Sequence, residues 1–245
     1  MNLSDVMVTI GSVTARALLG RRRTLLMLIL AAAPVLLGLL IRLGDGARPG
    51  ALVPSLDGLI VSSVLPLVAL VFGTAALGSE LDDGTAVHIL TKPIPRWSIV
   101  FPKTLVAGGL TASLLVPATI LAGILIGGTG GRQVGITVAY GIAVLVGSFV
   151  YAAIFVALSA STSRGLVIGL GYSLLWEGLL SGVLKGTQLF SVREYIRGMV
   201  ASLAPPGTVE SVVGASGFIL AAVAIILVTA FASTRLARYE VQAAE

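Results

Sequence analysis

The sequence predicts an all-α polytopic membrane protein. It is expected to have six transmembrane helices, an N-terminal interfacial helix, a short cytoplasmic helix between the second and third spans, and an outer amphipathic or re-entrant segment before the last span. Three observations predict this. Of 245 residues, 56% are hydrophobic and 11% are charged, against about 25% charged in soluble domains. Apolar stretches of about 20 residues, enough to cross a bilayer core about 30 Å thick, recur along the chain with short polar connections between them. The Lys and Arg residues behind the net charge of +5 fall near the ends of those stretches. No polar segment is long enough to bury a core of its own, so residues 1–245 read as one membrane domain.

Taken in order, residues 1–22 come first. Val6, Val8, Ile10, Val13, Ala17 and Leu18 give a partly amphipathic pattern. Such a helix lies at the membrane surface, with Arg16 and Arg21, Arg22 and Arg23 placed to meet anionic head groups. A basic cluster ahead of an apolar run also suggests a signal peptide. The run 24–43 is too long for that, and no small-x-small cleavage site follows, so it is expected to be a retained first span. The remaining spans are expected at about 58–79, 104–126, 134–160, 165–184 and 212–233. Only residues 161–164 join the fourth and fifth, which predicts a tight helical hairpin. Pro34, Pro66 and Pro117 each remove a backbone donor inside a span and are expected to kink it. Small residues four apart, Gly123 and Gly127, Gly135 and Ala139, Gly165 and Gly169, favour close helix packing.

Orientation follows from the basic residues. With the N-terminus inside, the inner side holds Arg16, Arg21, Arg22, Arg23, Lys92, Arg96, Lys103, Arg164, Arg235 and Arg238. The outer side holds Arg42, Arg48, Arg132, Lys185, Arg193 and Arg197. Ten against six favours cytoplasmic termini, as does an even number of spans. Asp45, Asp57, Glu194 and Glu210 further offset the outer charges. The high pI has this topological cause, and no basic stripe on a soluble fold points to nucleic acid.

Residues 80–103 form the longest inner connection and the most polar stretch of the chain. Gly84 can end the incoming helix, and Thr85 can N-cap a short helix over 86–91. Pro93 stops it and biases Lys92 away from the helical region. Lys92, Arg96 and Lys103 are expected to anchor the entry to the third span. The result is a short lever shaped to dock into a groove on a partner protein; the plain alternative is a solvated loop. The residues Glu80, Gly84, Thr85, Ile89, Leu90, Pro93, Ile94, Arg96 and Lys103 resemble the corresponding loop of ABC-2 type transporter permeases. There a Glu closes the second span, a Gly-Thr pair and a short apolar stretch follow, and a Pro-x-x-Arg-like element leads to a Lys opening the third span. The span count, the cytoplasmic termini and the N-terminal helix are also similar, so the resemblance covers essentially the whole chain. Pro102, where the family often has Gly, is a departure.

The resemblance implies that this loop is a coupling helix. It would receive motion from a separate ABC ATPase subunit through Glu80, Gly84, Thr85, Val87, Leu90, Pro93 and Arg96. It implies two copies of that ATPase, which would hold ATP and Mg, and a second membrane subunit completing a homodimer or heterodimer. It also implies export by alternating access.

The outer connection, residues 185–211, is the other informative segment. Leu189, Phe190, Val192, Tyr195, Ile196, Met199, Val200 and Leu203 recur at roughly helical spacing, until Pro205 and Pro206 stop the pattern. That predicts a short amphipathic helix at the outer surface, and ABC-2 permeases are similar in carrying re-entrant helices there. Within the fifth span, Trp176 and Glu177 are candidates for the substrate pathway or for intramembrane pairing, because an ionisable residue in a span is costly. Pairing of Glu177 with an arginine that holds the outer connection is the favoured alternative.

Several classes are disfavoured. The segment 101–104 has a Lys-Thr pair without the Gly-x-x-x-x-Gly that cradles phosphate, so this chain is expected to bind no ATP. With His88 as the lone histidine and no cysteine, no zinc site and no Ser-His-Asp triad are expected, so no catalytic residue is assigned. An ion-coupled secondary transporter and a non-transporting membrane scaffold remain as alternatives; the first often shows internal repeats, and none is evident here. Thirteen Arg against three Lys, with abundant Ala and Gly, suggest a high-GC bacterial source and hence a plasma-membrane location. Mostly aliphatic spans with scattered Ser, Thr and Tyr suit an amphipathic or lipid-like substrate.

Overall fold

The computed structural model describes residues 3–82, 95–162, 164–175 and 191–242. Among these, every regular element is helical, in the order α1 (Leu3–Leu18), α2 (Arg21–Asp45), α3 (Pro49–Ser55), the π-helical segment π1 (Leu56–Val64), α4 (Leu65–Asp82), α5 (Trp97–Gly127), α6 (Gly131–Ser161), α7 (Gly165–Gly171), α8 (Val192–Leu203) and α9 (Ser216–Gln242). The chain is an all-α polytopic membrane protein. Five helical stretches among the described residues are long and apolar enough to cross a bilayer: Arg23–Gly44, Pro49–Gly78, Trp97–Gly127, Gly131–Ser161 and Ser216–Ala237. The expected fifth span, 165–184, is seen as the apolar helix Gly165–Leu175, and its remainder lies outside the described residues.

Three boundaries differ from expectation. The second span is helical from Pro49 and not from about 58, because α3, π1 and α4 run on without a break. The third begins at Trp97, seven residues before Thr104, with Pro102 inside the helix. Hydropathy placed that start too late because Pro102 and Lys103 dilute the apolar run. The last starts at Ser216, since Gly214 turns the chain with a φ of 55°.

α6 is the central helix, with α4, α5, α8 and α9 packed on it. Its Tyr140, Tyr151 and Phe155 are fully buried. Tyr151 stacks on Phe155 at 6.0 Å, and Tyr172 meets Phe155 edge-on at 6.4 Å. Glycines let the helices close: a Cβ on Gly73 of α4 would stand 2.7 Å from that of Phe155. Gly123 faces Thr137, and Gly169 faces Leu70, in contacts just as tight, as their spacing suggested. The long helices α2 and α9 are mostly exposed, through Leu26, Ile29, Leu40, Ile219, Ile226 and Leu227. In a bilayer, lipid tails solvate such faces.

α1 has a sided character that fits the membrane surface. Val6, Thr14 and Leu18 are buried against α5 and α4, where Gly11 sits beside Pro102 and Val106. Asp5, Thr9, Ser12 and Arg16 form an exposed polar stripe opposite, flanked by exposed Val8 and Val13.

The long π1 segment has a local cause. Pro66, just below it, cannot donate to the helix ladder, and its ring crowds the carbonyl four residues back. Widening the turns to i→i+5 relieves the crowding. The Leu65 amide bonds to Ile60 five residues back. The Ser62 and Ser63 hydroxyls donate to the Asp57 and Gly58 carbonyls at 2.8 and 3.2 Å.

Candidate functional site

Two polar clusters stand at opposite ends of the bundle. The first flanks residues 83–94. Gly84, Thr85, Val87, Leu90 and Pro93 lie outside the described residues, as do Trp176 and Glu177. Glu80 falls within α4, and Arg96 occupies the N-cap of α5. Its carbonyl accepts from the Ile99 and Val100 amides at 3.1 and 3.2 Å. Buried Ser98 fastens the same turn, its hydroxyl donating to the Pro95 carbonyl at 2.6 Å.

The side chain that joins the two flanks is Lys103. Because α5 starts at Trp97, Lys103 sits nearly two turns inside the helix and is completely buried; it does not anchor at the membrane surface as its sequence position suggested. Its Nζ donates to the Ala76 carbonyl of α4 at 2.7 Å, a charge-assisted bond. From the other side, the Ser159 hydroxyl of α6 donates to the Thr74 carbonyl at 3.0 Å. The end of α4 that leads into residues 83–94 is therefore tied to both neighbours.

The second cluster is centred on α8. Val192, Tyr195, Ile196, Met199 and Val200 form its buried face, as their spacing predicted, whereas Leu203 is exposed. The Ser191 hydroxyl caps the helix by accepting from the Glu194 amide. Glu194 itself is buried. Its Oε1 accepts from the Ser211 hydroxyl at 2.7 Å and from the Val212 amide at 2.9 Å. Arg193 reaches across to Asp57 of π1 at 2.9 Å. Arg197 lies 3.9 Å from Asp57 and 3.8 Å from Glu194, and donates to the Glu210 carbonyl at 3.1 Å. Two arginines and two carboxylates thus join α8 to the second span and to the segment leading into α9. Sequence reasoning put all four charges on the same side of the membrane but did not pair them.

Backbone contact completes the α8–α9 joint. A Cβ on Gly198 would stand 2.5 Å from the Gly214 carbonyl, and one on Gly217 2.6 Å from the Tyr195 carbonyl. Gly198→Ala is expected to force these backbones apart and to destabilise by about 1–3 kcal/mol, read as a lower unfolding midpoint in detergent. Gly109→Ala is the control, since its Cβ meets nothing within 4 Å; an equal loss in both would mean the joint is slack.

Among the described residues, no group of three or more His, Asp or Glu side chains is placed to hold a metal ion. What the arrangement can do is mechanical. One continuous helix, α3–π1–α4, runs from the ion pairs around Asp57 to the start of residues 83–94.

A family model described as ABC-2 family transporter protein matches residues 4–213. The match takes in both clusters and leaves α9 outside. No curated protein matches the chain.

Proposed function

The chain belongs to the ABC-2 family of transporter proteins, and from that premise we propose that it is the membrane subunit of an ABC exporter, energised by a separate ATPase. Residues 83–94 are the docking element, carried by Glu80 and Arg96 at its two ends. Two ATPase subunits, holding ATP and Mg, engage two such elements on a dimer of membrane subunits. Both termini and residues 83–94 face the cytoplasm of a bacterial cell, and the α8 cluster faces outward. Glu177 and Trp176 line the pathway or pair within the membrane.

One observation supports the coupling role above the others. Lys103 ties α5 to α4 near the ends of the two helices that residues 83–94 connect. A push on that element moves two spans as a unit instead of bending one connection. ATP binding would draw the ATPases together, displace the docking elements and tilt the α4–α5 pair, which packs on α6.

The test is purification of the tagged chain from its native membrane in mild detergent. An ATPase subunit should copurify, and Gly84→Val, Thr85→Ala or Leu90→Asp should each lower its recovery severalfold while the membrane subunit itself is still recovered. A complex that contains no ATPase at all removes the proposal.

A further inference from the structure

We propose that Asp57 is the positioning residue of a latch that holds α8 closed over the end of the bundle remote from residues 83–94, and that tightening of π1 releases it. The inference rests on the transporter reading above for what drives the release, but the latch itself rests on geometry.

Asp57 is the second residue of π1, and its carboxylate is where the second span grips α8, through Arg193 at 2.9 Å and Arg197 at 3.9 Å. Other ties of α8 lead to the segment before α9 and to α9 itself. Glu194 holds Ser211 and Val212, and Gly198 and Gly217 lock α8 to the start of α9. With Asp57 disengaged, α8 and α9 remain one body packed on α6, and the ion pair that fastens that body to the second span is gone.

π1 supplies the means of disengaging. If π1 tightened to α-helical bonding by losing the equivalent of one inserted residue, the helix on one side of it would turn against the other by about one residue, roughly 100°. Such a turn below Asp57 carries its carboxylate away from Arg193. The hydroxyls of Ser62 and Ser63, which now reach the carbonyls five residues back, are equally suited to carbonyls four back, so the backbone keeps hydrogen-bonding partners through the change.

The closed arrangement is also imperfectly satisfied. Asp57 Oδ1 and the fully buried Tyr140 hydroxyl find no hydrogen-bond partner among the described residues. Unsatisfied buried groups raise the free energy of the state that contains them, which keeps the latch releasable.

The chain has no cysteine, so two introduced cysteines are its sole labelling sites when it is labelled before the unlabelled ATPase is added. Gly58→Cys is suitable because its Cβ meets nothing within 4 Å, and Ser202→Cys is suitable because Ser202 is exposed on α8. Spin labels at both would be measured by electron–electron resonance in the lipid-reconstituted complex with its ATPase, without nucleotide and after trapping with ATP and vanadate. With the doubly labelled chain diluted into unlabelled chain so that a dimer carries at most one labelled subunit, the parent should show one distance without nucleotide and a longer one when trapped. Asp57→Asn should show the longer distance already without nucleotide. The pair Asp57→Arg with Arg193→Asp should restore the shorter one, which a merely structural role for Asp57 does not predict. Should Asp57→Asn not assemble, Arg193→Gln carries the same expectation. An unaltered nucleotide-free distance in these variants overturns the latch, whatever trapping does. If trapping moves nothing in the parent while Asp57→Asn lengthens the distance, the latch stands and its ATPase drive falls.

Discussion

Lys103→Ala is expected to lower the stability of the membrane subunit by about 3 kcal/mol, and Lys103→Met by about 1 kcal/mol. The alanine removes a fully buried side chain and the bond to Ala76 together, adding a cavity to a lost charge-assisted hydrogen bond. Methionine nearly keeps the volume and removes only the charge and the donor. A buried ammonium is costly to desolvate, so its loss offsets part of the lost bond. The two substitutions therefore separate packing from tethering. Unfolding midpoints in one detergent should fall in the order parent, Met, Ala. Hydrogen exchange should show a second difference: in Lys103→Met the amides of residues 74–82 should exchange several-fold faster, while those of residues 111–122, higher on α5, stay unchanged. A methionine variant with parental exchange at 74–82 would mean that Lys103 fills space and tethers nothing, and the proposed coupling of residues 83–94 to the α4–α5 pair would lose its support.

The spans were legible because hydropathy over 20 residues depends on bulk composition, and the α8 helix because Val192, Tyr195, Ile196, Met199 and Val200 repeat at helical spacing regardless of what they face. Lys103 was not legible as a buried tether. A lysine beside a proline at the edge of an apolar run has the signature of a membrane-surface anchor, and only the start of α5 at Trp97 moves it inside. The Asp57–Arg193 pair joins residues 136 apart in the chain, and no local pattern carries such a distance. Nor does a hydrophobic repeat distinguish i→i+5 from i→i+4 bonding. Pro66 signalled a disturbance of the helix, but not that it would take the form of nine π-helical residues. Glu177 drew attention because it stands in a span, whereas Asp57 read as a charge in a connection. Hydropathy began the second span at about 58, and the structure begins its helix at Pro49.

Glu194→Ala is expected to destabilise by about 2–4 kcal/mol and Glu194→Gln by about 1 kcal/mol, both read at the α8–α9 joint. The carboxylate is buried and serves three partners at once: the Ser211 hydroxyl, the Val212 amide and, more distantly, Arg197. Alanine leaves the half-buried Ser211 hydroxyl and the Val212 amide without their acceptor and removes a counter-charge from Arg197. Unmade buried hydrogen bonds cost about 1–3 kcal/mol each when a partner is deleted. Glutamine keeps an oxygen for Ser211 and Val212, and its amide turned toward Arg197 replaces attraction with mild repulsion. Ser191→Ala gives a third level, since it removes the N-cap, at about 1 kcal/mol. Limited proteolysis across residues 204–215 should follow the same order, with the alanine variant cut fastest. Asp57→Asn should leave that cleavage unchanged, because Asp57 ties α8 to π1 and not to the connection before α9. If Glu194→Ala and Asp57→Asn opened the connection equally, α8 would be a single indivisible cluster instead of a lid hinged on α9 and latched to the second span.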